Sequence, residues 1–278
     1  MRGFRRNRHE VSGVSDGWQL QRRQLATAVM FLTRIPVGNA GSGDPEDLAA
    51  STQYFPLVGV IVSGLLTIVY WIAQLFWSNE IAVIITMIGS VMLTGGFHED
   101  GLADVADSAG AWTRQHKLEI MRDSRIGTYG GLALILAIVL TAYTLIDIAN
   151  VSNSVFNSVE LVFFSLILAH VLGRWSSLIL IYTTRYARDD AANKVFADGV
   201  TRHRLLIGCL TTLAVLIACL YALPLPTLAA VIGACFIINM LRLWYMKSFG
   251  GITGDCLGAA NKLVEISVYL SIAATLTT

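Results

Sequence analysis

Charge is the first thing this sequence lacks. Only 14% of its 278 residues are Asp, Glu, Lys or Arg, while 55% are hydrophobic; a water-soluble domain carries about a quarter charged residues. The deficit excludes an ordinary soluble globule and points to a chain that crosses a membrane several times. Thiol chemistry is excluded as well. Cys209, Cys219, Cys235 and Cys256 are scattered without a CxxC pair, so neither a disulfide frame nor a thiolate metal site is expected. There is no nucleotide P-loop, Rossmann fingerprint, internal repeat or low-complexity tract. The first eighteen residues are basic and polar and lack the apolar core of a cleavable signal peptide. Formal net charge is +1, and no nucleic-acid partner is expected.

Positive charge is missing from particular places too. Apolar runs occupy residues 54–77, 81–97, 129–146, 161–182, 205–223, 227–246 and 263–278, and about 20 residues suffice to cross a hydrocarbon core of about 30 Å. The last run is short and carries Glu265. The connections 78–80, 147–160 and 224–226, and the tail after Glu265, contain no Lys or Arg, whereas segments 1–23, 98–128 and 183–204 are rich in Arg, the last two with Lys117 and Lys194. The positive-inside rule therefore puts the N-terminus and the long polar loops in the cytoplasm and the C-terminus outside.

The expected fold is all-α: a polytopic helical bundle of about seven transmembrane helices in the cell membrane, in contact with lipid, with an interfacial or re-entrant helix before it. That helix is residues 25–37, apolar but short and interrupted by Arg34 and Pro36. If it crossed, every later loop would change sides and the basic segments would lie outside. Residues 1–23 are expected to be a basic, disordered cytoplasmic tail, and 24–278 a single membrane-embedded catalytic domain. A second copy of the chain is an admissible partner.

Four carboxylates, Glu99, Asp100, Asp104 and Asp107, stand where the second apolar run ends. At about 100° per residue on a helix, Asp100, Asp104 and Asp107 share an arc of about 60°. Stacked like charges destabilise a helix unless a cation or a basic group sits among them. Mg²⁺ is the natural occupant, since it combines one or two carboxylates with waters and substrate phosphates. A solvated acidic face is the plain alternative, but Leu102, Val105 and the alanines between the aspartates favour a directed one. Glu99 points to a neighbouring face.

The stretch 116–131 opens as a short amphipathic helix, His116–Met121, and ends in glycines. Within it Asp123 could bind metal or act as a base, and Lys117, Arg122 and Arg125 could hold phosphate oxygens. The segment 250–259 reads as a glycine-rich loop whose backbone could approach phosphate, with Asp255 in its tightest part. Arg174 lies inside an apolar run, where charge faces a partner or a polar site, and Arg34 poses the same question. His170 reads as a hydrogen-bonded interior residue. Together these features suggest metal-assisted transfer of a phosphoryl-containing group at the cytoplasmic face. A cation-coupled transporter would place its acids near mid-bilayer. A CDP-alcohol phosphotransferase would continue Asp100-Gly101 with an Ala-Arg pair, where this chain has Ala103-Asp104.

GGFHEDGLADVADS (95–108), with FLTRIPV (31–37), YFPLVG (54–59), KLEIMRDSRIGTYG (117–130) and GGITGDCLGA (250–259) in that order, resembles the cobalamin-5′-phosphate synthases, also called adenosylcobinamide-GDP ribazoletransferases, over residues 24–266. The resemblance implies a Mg²⁺-dependent transferase acting on adenosylcobinamide-GDP and α-ribazole or its 5′-phosphate, making adenosylcobalamin or its 5′-phosphate and releasing GMP. It implies attack on the corrinoid-linked phosphorus by the 5′-hydroxyl of α-ribazole, or by the phosphate of its 5′-phosphate. Carried to matching positions, the metal ligands are Asp100, Asp104, Asp107 and Asp123. Proton transfer falls to Asp107 or Asp123, and substrate contacts to Arg34, Lys117, Arg125, Arg174, Gly254 and Asp255. His98, Glu99 and Glu265 support the site from behind.

Overall fold

A computed structural model describes residues 9–151, 155–188 and 199–276. Residues 1–8 of the expected tail, Lys194 in the basic segment and the last two residues of the final apolar run lie outside the described residues. Among the described residues there is no strand, only an isolated bridge between Tyr186 and Ile252. Two helices come first, α1 (His9–Leu32) and α2 (Pro45–Ser51). The bundle follows as α3 (Phe55–Gln74), α4 (Asn79–Thr94), α5 (Phe97–Ser108), α6 (Arg114–Ile120), α7 (Thr128–Ala149), α8 (Ser158–Thr183), α9 (Arg202–Ala222), α10 (Pro224–Ser248) and α11 (Gly254–Leu276).

The described residues contain six helices long and apolar enough to cross a membrane: α3 with its lead-in, α7, α8, α9, α10 and α11. The seventh expected span is a bent pair, α4 and α5, meeting at 87°. Gly95 and Gly96 make the bend, both in left-handed backbone (φ 72° and 70°), a conformation glycine adopts at little steric cost. The apolar α4 stays with the bundle, and the charged α5 turns across its end, outside the spanning segments. Other boundaries follow from local chemistry. Pro56 opens α3, where its missing N–H is no loss. Asn157 and Glu160 cap each other's backbone at the start of α8.

Three expectations change. Residues 9–23, expected in a disordered tail, belong to α1. The helix expected over 25–37 stops at Leu32, the residue whose carbonyl the Pro36 ring would meet in a continued helix, and the Arg34 amide donates instead to the Leu93 carbonyl at 2.7 Å. Helix α11 starts at Gly254, so the second half of the expected glycine loop is helical.

Helices α8 and α11 form the centre, with 78% and 72% of their apolar windows buried, against 17% for α9. Leu210, Ile217, Ile232, Phe236 and Met240 on α9 and α10 point outward, an apolar belt too extensive for water. At one end of the bundle a polar cluster ties four helix ends together. Asn79 Nδ2 donates to the Ala149 carbonyl at 3.0 Å and to Asn150 Oδ1 at 2.9 Å, and Gln74 Nε2 donates to Asn79 Oδ1 at 2.8 Å and to Ser158 Oγ. At the opposite end lie α5, α6 and the starts of α7 and α11.

Candidate active site

The site is built on α5. Its inward face, Leu102, Ala103 and Val105, is buried, and Asp100, Asp104 and Asp107 lie on the outward side. The helix can approach α11 closely because Gly101 meets Gly258. A Cβ on Gly101 would lie 2.7 Å from the Asp255 carbonyl oxygen and 3.2 Å from Gly258 Cα. This crossing sets Asp255 beside the acidic face.

Asp104 registers the crowding. Burial first, then the charges of Asp100, Asp255 and Asp107, push it from the ordinary 3.8 up to about 7. Asp107 is held differently. Its carboxylate accepts from the amides of Gly127 at 2.7 Å and Gly130 at 2.8 Å, capping α7. A side chain at either glycine would overlap that carboxylate. No group of three or more His, Cys, Asp or Glu among the described residues is gathered into a finished metal cage.

Two chain segments far apart in sequence are zipped together next to the acids. The Ala187 amide donates to the Ile252 carbonyl at 2.8 Å, and the Ile252 amide to the Arg185 carbonyl at 2.9 Å. Arg114 fastens both segments, donating to the Phe249 carbonyl at 2.6 Å and the Ala187 carbonyl at 2.7 Å. Arg188 then reaches Asp255 at 3.2 Å, and Thr253 Oγ1 donates to the same carboxylate at 3.1 Å. Sequence periodicity does not single out Arg188 or Thr253. Their contacts link residues 67 apart or depend on a turn that periodicity does not reveal.

The other expected site residues divide. Lys117 is half-buried with its Nζ 5.9 Å from the Phe249 ring centroid. Asp123 and Arg125 pair on an exposed turn at 2.5 Å, and Arg125 holds the Asp123 carboxyl down to about 2. Arg34 stays exposed, with its guanidinium stacked against Gly95. The Gly254 amide donates to the Tyr186 hydroxyl at 3.1 Å, so it is not free for phosphate. Arg174 does not reach the acidic face. It is fully buried, 3.3 Å from Glu265 Oε1, which also takes His170 Nδ1 at 2.7 Å. Lys262 bridges Glu265 at 3.5 Å and Glu99 at 2.9 Å. Glu99 and Glu265 thus stand behind the acidic face as one buried network. His98 is enclosed beside them, and burial, then Arg174, pulls it down to about 3, leaving it neutral.

Close by lies a cavity of about 390 Å³ walled by Phe31, Phe55, Phe97, Tyr186 and Leu48, with Gly254 at its edge. Phe31 stacks on Phe55 at 6.0 Å and meets Phe97 edge-on at 5.4 Å. An aromatic slot beside an acidic face suits a flat, uncharged base.

A family model described as "Cobalamin-5-phosphate synthase" matches residues 24–273. A protein of Shewanella piezotolerans named adenosylcobinamide-GDP ribazoletransferase is 38% identical over 258 residues, covering 91% of this chain and 95% of that protein. Proteins of the same name from Shewanella amazonensis (38% over 244 residues, 87% and 92% covered) and Shewanella baltica (37% over 260 residues, 91% and 95% covered) are similar to it as well. No solved structure matches.

Proposed function

The chain belongs to the cobalamin-5-phosphate synthase family, and from that premise we propose that it joins adenosylcobinamide-GDP to α-ribazole or its 5′-phosphate at the cytoplasmic face of the cell membrane. The observation that carries this reading is the acidic face of α5, set beside Asp255 at the end of the bundle where the arginine-bearing loops also lie.

Mg²⁺ fits that face. Asp104 keeps a proton to about pH 7 because burial first, and then the neighbouring carboxylates, disfavour its charge, and a divalent cation would offset both. Asp100 and Asp104 would hold it, with phosphate oxygens and water completing its shell, while the expected third ligand, Asp107, is committed to the Gly127 and Gly130 amides. When bound, the cation neutralises phosphate charge and stabilises the departing phosphate.

The chain's own residues do the rest. Arg125 and Lys117 offer positive charge to phosphate at the rim, and Asp123 holds the Arg125 guanidinium in place. The aromatic cavity takes the base of the ribazole nucleoside. A ribose hydroxyl attacks the corrinoid-linked phosphorus, one P–O bond forms, the P–O bond to GMP breaks, and the hydroxyl proton leaves. A product that keeps a 5′-phosphate requires that a ring hydroxyl attack, so the acceptor is that hydroxyl rather than the 5′ oxygen. Of the two expected bases, Asp123 is held as a carboxylate of low proton affinity by Arg125, and Asp107 is occupied by two amides. Asp104 is raised toward neutrality only while no cation sits on it, so it holds the metal, and the hydroxyl proton passes to water at the open acidic face.

The test supplies the purified chain with both substrates and Mg²⁺. Adenosylcobalamin and GMP should appear in equal amounts; no product refutes the proposal. For sidedness, a cysteine at Ser124 should be shielded from an impermeant maleimide in intact cells, and one at Glu80 labelled.

A further inference from the structure

A second cavity, of about 300 Å³, lies on the side of α5 that Glu99 occupies, among α3, α4, α7, α8 and α11. Ile84, Ile88, Val91, Met92 and Ile138 form its mouth and are exposed on the apolar outer surface, so it opens toward lipid. Its inner wall is the buried Glu99–Lys262–Glu265–His170 network.

Three polar atoms on this wall, Glu99 Oε2, Thr141 Oγ1 and His170 Nε2, are buried with no hydrogen-bond partner among the described residues. Thr141 is 4% exposed and His170 2%. Buried polar atoms are nearly always paired, and three orphans around one cavity mark a place built for a polar group. The unpartnered nitrogens of Arg174 belong to a residue that does not line the cavity.

The pattern of donors and acceptors selects the ligand. Nδ1 of His170 lies 2.7 Å from the Glu265 carboxylate, which only accepts, and 3.1 Å from Arg174 Nη1; the shorter contact places the imidazole proton on Nδ1 and leaves Nε2 as an acceptor. Glu99 Oε2 is also an acceptor, and the Thr141 hydroxyl can play either part. The ligand must therefore donate. It must also be uncharged. Two glutamates already face Lys262 and Arg174, leaving no net charge to balance. At about 1.5 Å per residue, Lys262 and Glu265 fall about 12 and 16 Å beyond the start of α11, a depth at which an ion is costly.

We propose that this cavity binds an uncharged, apolar bilayer molecule bearing a hydroxyl or N–H donor. The donor end sits among Glu99, Thr141 and His170, and the hydrocarbon leaves between α4 and α7. At about 30 Å³ per water-sized group the cavity holds about ten such groups, enough for the donor end and the first part of a chain.

The test uses the full chain in phosphatidylcholine nanodiscs and two photoprobes, a C12 alcohol and a C12 fatty acid, each with a mid-chain diazirine. The alcohol should label 84–92 and 138–145 several-fold more than the lipid-facing stretch 210–217, with 1-dodecanol competing. The acid should label these regions without preference. Thr141→Phe, which fills the cavity, should abolish the enrichment while the protein still elutes as wild type. Equal labelling of α9, equal enrichment by the acid, or unchanged labelling of a folded Thr141→Phe would each overturn the proposal. If that variant does not fold, the alcohol–acid contrast and the dodecanol competition in the wild type decide the matter.

Discussion

Replacing Asp104 with Asn should stabilise the Mg²⁺-free protein while removing its activity. Asp104 is pushed from 3.8 to about 7, so its charged form works against the fold. At about 1.4 kcal/mol per pH unit the penalty is at most about 4 kcal/mol. The side chain is partly solvated, and screening lowers the expected gain to about 1–2 kcal/mol, a rise in melting temperature of about 2–6 °C for a chain this long. The pH dependence follows from the direction of the shift. Below about pH 4 Asp104 is protonated in both folded and unfolded chains, and the variant has no advantage. The advantage grows as pH rises from about 4 to 7 and is complete above about 7. Mg²⁺ should stabilise wild type more than Asp104→Asn and so erase the difference. Thermal melts at pH 4, 6 and 8, with and without Mg²⁺, provide the readout. An Asp104→Asn protein no more stable than wild type at pH 8, or one to which Mg²⁺ gives the same increment, refutes the electrostatic account of the acidic face.

Asp107→Ala strips the cap from α7 and should cost about 0.5–2 kcal/mol, seen as a lower melting temperature. Gly130→Ala should act in the same direction, since its methyl overlaps the Asp107 carboxylate. Arg125→Ala removes an exposed pair and should leave the melt unchanged, while raising KM for adenosylcobinamide-GDP in steady-state assays. Arg174→Leu leaves Glu265 short of a partner and should cost about 3–5 kcal/mol, visible as loss of monodisperse protein rather than as a KM effect. Leu48→Trp narrows the aromatic cavity, and the matching change should be a higher KM for ribazole with KM for adenosylcobinamide-GDP unaltered.

Much of this architecture is legible in sequence because lipid imposes long uncharged runs. Each run from 54–77 onward corresponds to a helix or, for 81–97, to one whose end is cut by Gly95 and Gly96. Helical arithmetic also groups Asp100, Asp104 and Asp107, since they belong to one element. It separates Glu99 from them, and the structure gives Glu99 to Lys262. The arithmetic fails where geometry depends on distant chain. Arg174 looks like an anion-binding residue in its own helix, and only the packing of α11 against α8 reveals Glu265 as its partner. Arg188 finds Asp255 only because two loops pair as extended backbone. The glycines at 254 and 258 suggest a phosphate loop, yet Gly258 serves helix packing and Gly254 begins a helix. Residues 9–23 read as tail because they are polar and charged, and the backbone nevertheless continues there as α1.

The most direct measurement is turnover of the purified, chelator-treated protein in nanodiscs, titrated with Mg²⁺ alongside Asp100→Asn and Asp104→Asn. Adenosylcobalamin and GMP should form in equal amounts in the wild type, only after Mg²⁺ is added, and at strongly reduced rates in both variants. Product without Mg²⁺, or undiminished product from Asp104→Asn, would contradict the assignment of the reaction to the acidic face of α5.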